Sequence, residues 1–530
     1  MADPSDSPDL DRLAAEARAG LKSRLLAGFG ARGVEIAVQI GQQLVMVSLF
    51  IRAWGVGVYE DWLILAAAAM FLSALDFGMQ PYFQNLIAMG WARGDKAGVD
   101  RIMKVSLGIY ATVVVAAIAI LGLSTVIVDW PATLRAEAAM TSGEAVVTLM
   151  LLCLGALMMI PHGVVHGLYR ARGEYARGVM IGTLFNLVTL IAMALALLAG
   201  ASPVIVAATQ LAGWVFGWAI TVIDLRRRFE GIHFALALPN RTELIETARK
   251  GSLYMVHPMA QNAINNGPVI ILGLLAAGPG GVVTYKVSKT LSGLGRQLVM
   301  NLSHVTGVEM SRQRAQGDTV ALRRLYMNVA RVLGGLSGCM AGIVWVAAGP
   351  FIGVWTGGEV AHDGLLFGIL LVGIMASVPA QAGMSMFHYT NEPLPMTVAY
   401  GGWAAIGLGL CFLLIPPMGP AGAALALAIG EFLSVGLYVS HRSSRIIGTP
   451  LPVYLGLGYG VTAGAFAVSF GVAQAAAMVL QPEGLVGLIA LGVVWGVIAG
   501  PPTLFIVTTK TQREWLYATL RDRLARPKNA

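Results

Sequence analysis

Residues 39–51 read Gln39-Ile-Gly-Gln42-Gln43-Leu-Val-Met-Val-Ser-Leu-Phe-Ile51, and residues 262–272 read Asn262-Ala-Ile-Asn265-Asn266-Gly-Pro-Val-Ile-Ile-Leu272. An offset of 223 sets Gln39 on Asn262, Gln42 on Asn265 and Gln43 on Asn266. Three side-chain carboxamides thus recur at matched spacing inside long apolar runs. The same offset pairs Leu49 with Leu272, Ala53 with Ala276, Gly55 with Gly278, Gly57 with Gly280 and Trp62 with Tyr285. Each run is long enough for a membrane-spanning helix with a polar stripe, and their recurrence predicts a duplicated half. Internal repeats of this kind are common in transporter folds. The two copies begin the first and seventh spans, an even number apart. They therefore share orientation and relate by a pseudo-twofold axis along the membrane normal.

Composition extends this reading to the whole chain. Of 530 residues, 56% are hydrophobic and 12% charged, about half the charge of a soluble domain. Mean hydropathy is +0.71. These values exclude disordered, collagenous, disulfide-rich secreted and typical soluble enzyme classes. The 65 glycines suit helices that approach closely in lipid. Cys153, Cys339 and Cys411 each lie in an apolar run without a CxxC neighbour, and read as small buried hydrophobes. The net charge of +8 is a statement about topology, and no nucleic-acid partner is expected.

Fourteen spans are predicted, near 32–53, 61–88, 105–128, 145–168, 179–199, 203–224, 253–277, 282–306, 326–348, 364–388, 396–416, 420–440, 453–476 and 485–508. With both termini cytoplasmic, 31 of the 36 Lys and Arg fall in inside segments; a single missed helix would invert every later loop. Asp3, Asp6, Asp9 and Asp11 precede the first apolar run, so insertion is expected to use the first span instead of a cleaved signal. The expected organisation is a cytoplasmic amphipathic segment at 1–31, an N-lobe at 32–225 and an inter-lobe loop at 226–251. A C-lobe at 252–441, two further helices in 452–508 and a basic amphipathic tail at 509–530 complete it. The run from Leu10 to Leu26 and the stretch Thr511 to Arg526 both have the pattern of helices lying on an anionic leaflet. The longest outside loop, around Asp129 to Glu144, holds about sixteen residues, too few for a folded domain.

Asp76-Phe77-Gly78 in the second span, Tyr169-Arg-Ala-Arg-Gly173 after the fourth, and Ile415-Pro-Pro-Met-Gly-Pro-Ala-Gly-Ala-Ala424 entering the twelfth resemble the polysaccharide (Wzx-type) flippase branch of the MOP transporter superfamily. The six-plus-six-plus-two layout is similar too. The resemblance implies a multi-pass protein of the bacterial inner membrane that moves polyprenyl-pyrophosphate-linked oligosaccharides outward, units of O-antigen, exopolysaccharide or capsule. Multidrug antiporters and the lipid II flippase belong to the same superfamily.

Such a cargo requires cations in the membrane, hydrogen-bonding groups for sugars and an opening to lipid. At roughly 100° per residue, Lys286, Lys289 and Arg296 in the eighth span fall at about 0°, 300° and 280°, within one sector of about 80°. Intramembrane charge is costly, so three cations on one face predict a water-lined cavity or an anion such as diphosphate. Lys286 also lies near enough to the outer interface to snorkel. Arg52 is a further diphosphate candidate or an interface marker. Gln39, Gln42 and Gln43, with Asn262, Asn265 and Asn266, form the candidate glycan-binding stripes; interhelical hydrogen bonding is the competing role. Gly267-Pro268 should kink the seventh helix and free backbone groups.

Asp76, Glu35 and Glu431 are the candidates for coupling to H+ or Na+. Asp76 has Ser73, Gln80 and Gln84 at nearby angles, and could equally pair with a cation such as Lys289; Glu35 has Arg32 three residues before it. His162 and His166 share a helix face after Pro161, yet no third ligand stands nearby, so packing or cavity lining is favoured over a metal.

The expectation is therefore an all-helical integral membrane protein with about fourteen transmembrane helices, two six-helix bundles as a parallel-type repeat plus two C-terminal helices. It is read as a non-enzymatic flippase working by alternating access, without a bound cofactor. Its partners would be the lipid-linked oligosaccharide, membrane lipids, and a polysaccharide polymerase and glycosyltransferases. A cation-coupled small-molecule or drug exporter of the same superfamily is the alternative, though it would need acidic residues where the eighth span is cationic. A glycan polymerase or ligase would display a sizeable outer loop, and a scaffold of a glycan-assembly complex would tolerate loss of the cations.

Overall fold

The computed structural model describes residues 8–508 apart from 137, 276–278 and 391, together with 513. The amphipathic face expected between Leu10 and Leu26, the tail after 508, and the pairings of Ala53 with Ala276 and Gly55 with Gly278 lie outside what it describes. Among the described residues the chain is helical, with no strand. It is a multi-pass membrane protein. Among the described residues, eleven helical stretches are long and apolar enough to cross a bilayer. The first, Gly30–Asp76, has 47 residues, which at about 1.5 Å each reach about 70 Å, more than twice a bilayer's hydrocarbon core.

That stretch is two crossings divided at Gly55. Helix α1 (Pro8–Met70) contains Gly55 at φ 74° and ψ 174°, a backbone geometry reserved to residues without a Cβ. One helix runs from Pro8 to this break, so the expected segment 1–31 and the first span are joined without a turn between them. A 3-10 turn, Phe71–Asp76, follows, and α2 (Met79–Ala92) completes the second crossing. Then come α3 (Lys96–Ile127), the short α4 (Trp130–Leu134), α5 (Ser142–Ala171), α6 (Tyr175–Leu198) and α7 (Pro203–Arg228).

Helix α8 (Arg241–Leu275) starts eleven residues before the C-lobe boundary expected at 252, so only residues 229–240 are non-helical between α7 and α8. Helix α9 is Gly281–Ala315 and α10 is Thr319–Thr356. The next crossing is α11 (Gly364–Ser377) joined through a 3-10 turn at Val378–Ala380 to α12 (Gln381–Tyr389). Helix α13 (Pro393–Met418) precedes α14 (Pro420–Glu431), a π-helical stretch (Phe432–Val439) and α15 (Ser440–Ile446), which form one rod. Helices α16 (Leu451–Leu480) and α17 (Gly484–Val507) end the described fold. Among the described residues, the division at Gly55 and the long helices α8 and α9, too polar to qualify by composition, are consistent with the fourteen crossings read from the sequence.

The chain divides into two compact units, one of residues 1–53 and 65–258, the other of 54–64 and 259–530. In the first, α5 packs against α2, α3 and α7. Gly163 and Gly167 on α5 face Gln80 and Gln84 of α2 across gaps too small for a methyl group. Gln80 donates to the Ile160 carbonyl and Gln84 to the Gly163 carbonyl, each at 2.8 Å. The Tyr169–Gly173 motif ties helix ends together. The Tyr169 hydroxyl donates to Asp224 at 2.8 Å, Arg177 bonds the same carboxylate, and Glu174 receives Arg172 and Arg228.

In the second unit α10 and α16 pack most extensively, with α17 beside both. Gly338 lies so close to Thr462 that a Cβ would stand 2.1 Å from the Thr462 carbonyl oxygen. The segment carrying residues 54–64 caps α9. Glu60 accepts the Gly280 amide at 2.5 Å and the Val282 amide at 2.8 Å, placing a carboxylate at the positive end of the helix. At the start of α14, Gly419 has φ 55° and ψ −132°, and a Cβ on Gly422 would stand 2.0 Å from the Leu414 carbonyl oxygen. The Gly-Pro-Ala-Gly motif is thus a turn that side chains would block.

Candidate anion-binding site

Pro268 lies inside α8 and has no N–H to give the carbonyl four residues earlier, that of Ile264. Lys289 of α9 donates to this carbonyl at 3.2 Å. Its ammonium also stands 5.4 Å from the Tyr285 ring centroid, within cation–π range. Helix α8 continues through Gly267–Pro268 to Leu275, so the freed carbonyl arises without ending the helix. Lys286 is half-buried one turn earlier on α9.

Arg296 lies about two turns beyond Lys289, roughly 10 Å along the axis. Its Nη1 donates to Glu431 Oε2 at 3.0 Å, and Nη2 lies 2.7 Å from Oε1. The Glu431 side chain is 5% exposed and that of Arg296 21%. The guanidinium carbon stands 5.0 Å from the Trp403 ring centroid on α13. Trp403 is fixed by donation from its ring nitrogen to the Leu427 carbonyl at 3.0 Å, and Tyr400, one turn earlier, stacks on it. Tyr400 also shares a hydrogen bond with Gln261 of α8. Three cations and one carboxylate are thus gathered where α8, α9, α13 and α14 pack, all within the second unit.

The amide stripe of α8 is partly committed to itself. Asn266 donates to Asn262 Oδ1 at 2.5 Å, while Asn265 is exposed. Gln39, Gln42, Gln43, Glu35 and Arg52 belong to the first unit. Gln39 and Gln42 are exposed and Gln43 half-buried. Glu35 pairs with Arg32 at 2.6 Å and also receives Gln39 at 3.3 Å. Arg52 is exposed near the end of the first crossing.

Asp76 occupies the break between the 3-10 turn and α2. Phe77 and Gly78 both take positive φ, 48° and 71°, so the second crossing is interrupted within the membrane stretch. The Asp76 Oδ1 accepts the Gln80 amide at 3.1 Å, capping α2, and the Tyr110 hydroxyl at 2.6 Å. Both of these partners belong to its own unit. His162 and His166 stand with ring centroids 4.4 Å apart, and Phe185, Trp214 and Trp218 surround His162. Its Nε2 lies 3.5 Å from Thr221 Oγ1. No group of three metal-ligating side chains occurs among the described residues.

Sequence reasoning missed Trp403 and Tyr400, and anticipated freed backbone groups at Gly267-Pro268 without naming the Ile264 carbonyl or its partner Lys289. An aromatic residue in a membrane helix faces lipid or core by default, so Trp403 carried no signal. The carbonyl did carry one, because Pro268 marks it.

With this geometry in view, the arrangement of helices can be compared with solved structures. The lipid II flippase MurJ in an inward closed conformation is similar with a TM-score of 0.67 at 10% identity, over 92% of this chain and 99% of that one. An inward-facing multidrug resistance MATE family transporter of the MOP superfamily is similar with a TM-score of 0.64 at 16% identity, over 78% and 99%. The chain shares the fold of these transporters. A MATE point mutant gives a TM-score of 0.53 at 17% identity, over 81% and 97%. At such identities the likeness is one of fold. No protein-family model matches the chain, and no curated protein does.

Proposed function

We propose that the protein is a flippase for an oligosaccharide linked to a polyprenyl diphosphate, working by alternating access in the bacterial inner membrane with both termini cytoplasmic. The observation that carries this reading is the cationic face of α9, where Lys286, Lys289 and Arg296 stand inside a membrane-spanning unit and one carboxylate, Glu431, is paired directly with Arg296. Intramembrane cations call for an anion or water, and a diphosphate supplies charge that sugars and prenyl chains lack. Lys286 and Lys289 would hold the diphosphate with Arg296 farther along the same face of α9; Arg52, in the first unit, is proposed separately as a cation for the same class of ligand. Gln39, Gln42, Gln43, Asn262, Asn265 and Asn266 would meet glycan hydroxyls, and the prenyl chain would remain in lipid. The extent of the likeness to a lipid II flippase, nine-tenths of this chain, supports the same class of cargo.

Coupling to H+ or Na+ would fall to Asp76 at the interrupted second crossing, where broken helices place ion sites in transporters, with Glu431 and Glu35 as further carboxylates. A polysaccharide polymerase and glycosyltransferases would act after and before the transport step. The reading with a different cargo, cation-coupled export of a small molecule, is favoured by one observation, the buried carboxylate of Glu431.

The test is transport of a fluorescent polyprenyl-diphosphate oligosaccharide in proteoliposomes. Native protein should move the lipid, and Lys286→Ala/Lys289→Ala should abolish movement while retaining its elution profile and thermal transition. Undiminished transport by the double variant refutes the diphosphate site. Transport of a cationic dye by native protein, with no movement of the lipid, favours the exporter.

A further inference from the structure

The Arg296–Glu431 pair has three features that a purely structural ion pair does not need. Glu431 Oε1 lies 2.7 Å from the guanidinium, yet has no aligned hydrogen-bond donor and is buried. One oxygen of the carboxylate is bonded; the other makes only ionic contact. Arg296 has independent support from the Trp403 ring, so the guanidinium keeps a seat if the carboxylate is displaced. Glu431 is also the last residue of α14 before the π-helical stretch Phe432–Val439, and π-helical turns inside α-helices occur frequently at functional sites.

A lipid transporter meets a selection problem that a soluble binding protein does not. Its cationic site faces a solvent of lipid headgroups whose phosphodiesters each carry a single negative charge, present in great excess over any rare lipid. Specificity against such a competitor requires a repulsive element as well as attractive contacts. Glu431 has the position and sign to supply it, because an anion approaching Arg296 meets a carboxylate already held against both terminal nitrogens of the guanidinium.

We infer that Glu431 is a built-in competing anion, setting a charge threshold that admits a dianionic diphosphate to Arg296 and rejects the monoanionic phosphodiesters of bulk lipid. The inference rests on the reading of α9 as a diphosphate site and assigns that site its selectivity. Three cations and one carboxylate carry a formal surplus of two positive charges, matching a diphosphate diester. A dianion that engages Lys286 and Lys289 has attraction left to draw Arg296 from its partner; a monoanion held by one lysine does not. The exchange needs no proton and no covalent step. Neutralising Glu431 should therefore raise affinity for the wrong lipid more than for the right one.

The experiment is equilibrium binding in nanodiscs of uncharged lipid, with farnesyl-pyrophosphoryl glucose as dianionic probe and short-chain phosphatidylglycerol as monoanionic probe. Native protein should prefer the dianion. Glu431→Gln, which keeps shape and a carbonyl acceptor for Arg296, should cut the preference at least about tenfold, chiefly by tighter phosphatidylglycerol binding. Should that variant fail to fold, Arg296→Gln/Glu431→Gln removes both charges together; it should bind the dianion about tenfold more weakly than native. An unchanged preference in folded Glu431→Gln, or native dianion affinity in the double variant, overturns the inference and leaves the diphosphate site standing. If native protein binds neither probe, the diphosphate site itself falls, and the inference with it.

Discussion

Lys289 donates its ammonium hydrogen to the Ile264 carbonyl, 3.2 Å away, a carbonyl left without a helical donor by Pro268. One imino acid on α8 thereby orients a cation on α9. Pro268→Ala would return the missing N–H to α8 and compete with Lys289 for the carbonyl. The variant is expected to be more stable by up to about 3 kcal/mol, the usual cost of an interior proline, and slower in lipid transport. Thermal unfolding and proteoliposome assays on the same preparation check the two signs. A variant that is both less stable and slower would mean that Pro268 is required for packing alone.

Arg296 and Glu431 form a buried pair whose stability differs from its function. Removing one partner leaves an uncompensated charge and should cost about 3–5 kcal/mol, whereas an apolar replacement of both is often neutral or stabilising. Arg296→Ala should therefore lower the unfolding midpoint sharply. Arg296→Met/Glu431→Leu should recover most of that loss and remain inactive. Recovered transport in the double variant would show that the pair serves the fold alone.

Glu60 holds two backbone amides at the start of α9. Bonds to a charged acceptor contribute about 1.5–3 kcal/mol. Glu60→Ala should destabilise by that amount, and Glu60→Gln by less, because the amide retains an acceptor oxygen but loses the charge. Chemical denaturation of the three proteins in one detergent would establish the order.

Gly338 allows α10 and α16 to touch backbone to backbone. A Cβ there would stand 2.1 Å from the Thr462 carbonyl oxygen, and overpacking of this kind costs about 1–3 kcal/mol. Gly338→Ala should lower the thermal midpoint. Gly471→Ala, inside α16 where a Cβ meets nothing within 4 Å, should not lower it, because alanine favours a helix interior over glycine.

Crossings were legible because lipid imposes a length and a polarity on every helix, and the fourteen predicted spans correspond to fourteen helical rods. Their ends were less so. Helix α8 begins in a charged segment, Arg241-Thr-Glu243, where hydropathy falls although Asn240 and Glu243 cap the helix reciprocally at 2.7 and 2.8 Å. The division at Gly55 was legible, since the predicted spans 32–53 and 61–88 leave the glycine between them; that it is made by a positive φ inside one helical stretch was not. Among the site residues, Lys286, Lys289, Arg296 and Glu431 announced themselves as charges in apolar runs. That Arg296 takes Glu431 as partner, 135 positions away, depends on how α9 and α14 pack, and spacing along one helix does not carry that information. Trp403 was invisible for a related reason: its role comes from the cation above it.

The break at Gly55 leaves residues 54–64 in the compact unit that otherwise begins at 259. Connectivity and architecture therefore disagree about where the second half starts. A gene cut within codons 229–240 would separate two runs of crossings, yet the downstream product would lack the strap that carries Glu60. Chimeras of homologues joined at that cut would pair one parent's strap with the other parent's α9. Exchanging residues 54–64 along with the downstream half is the graft that respects the molecule.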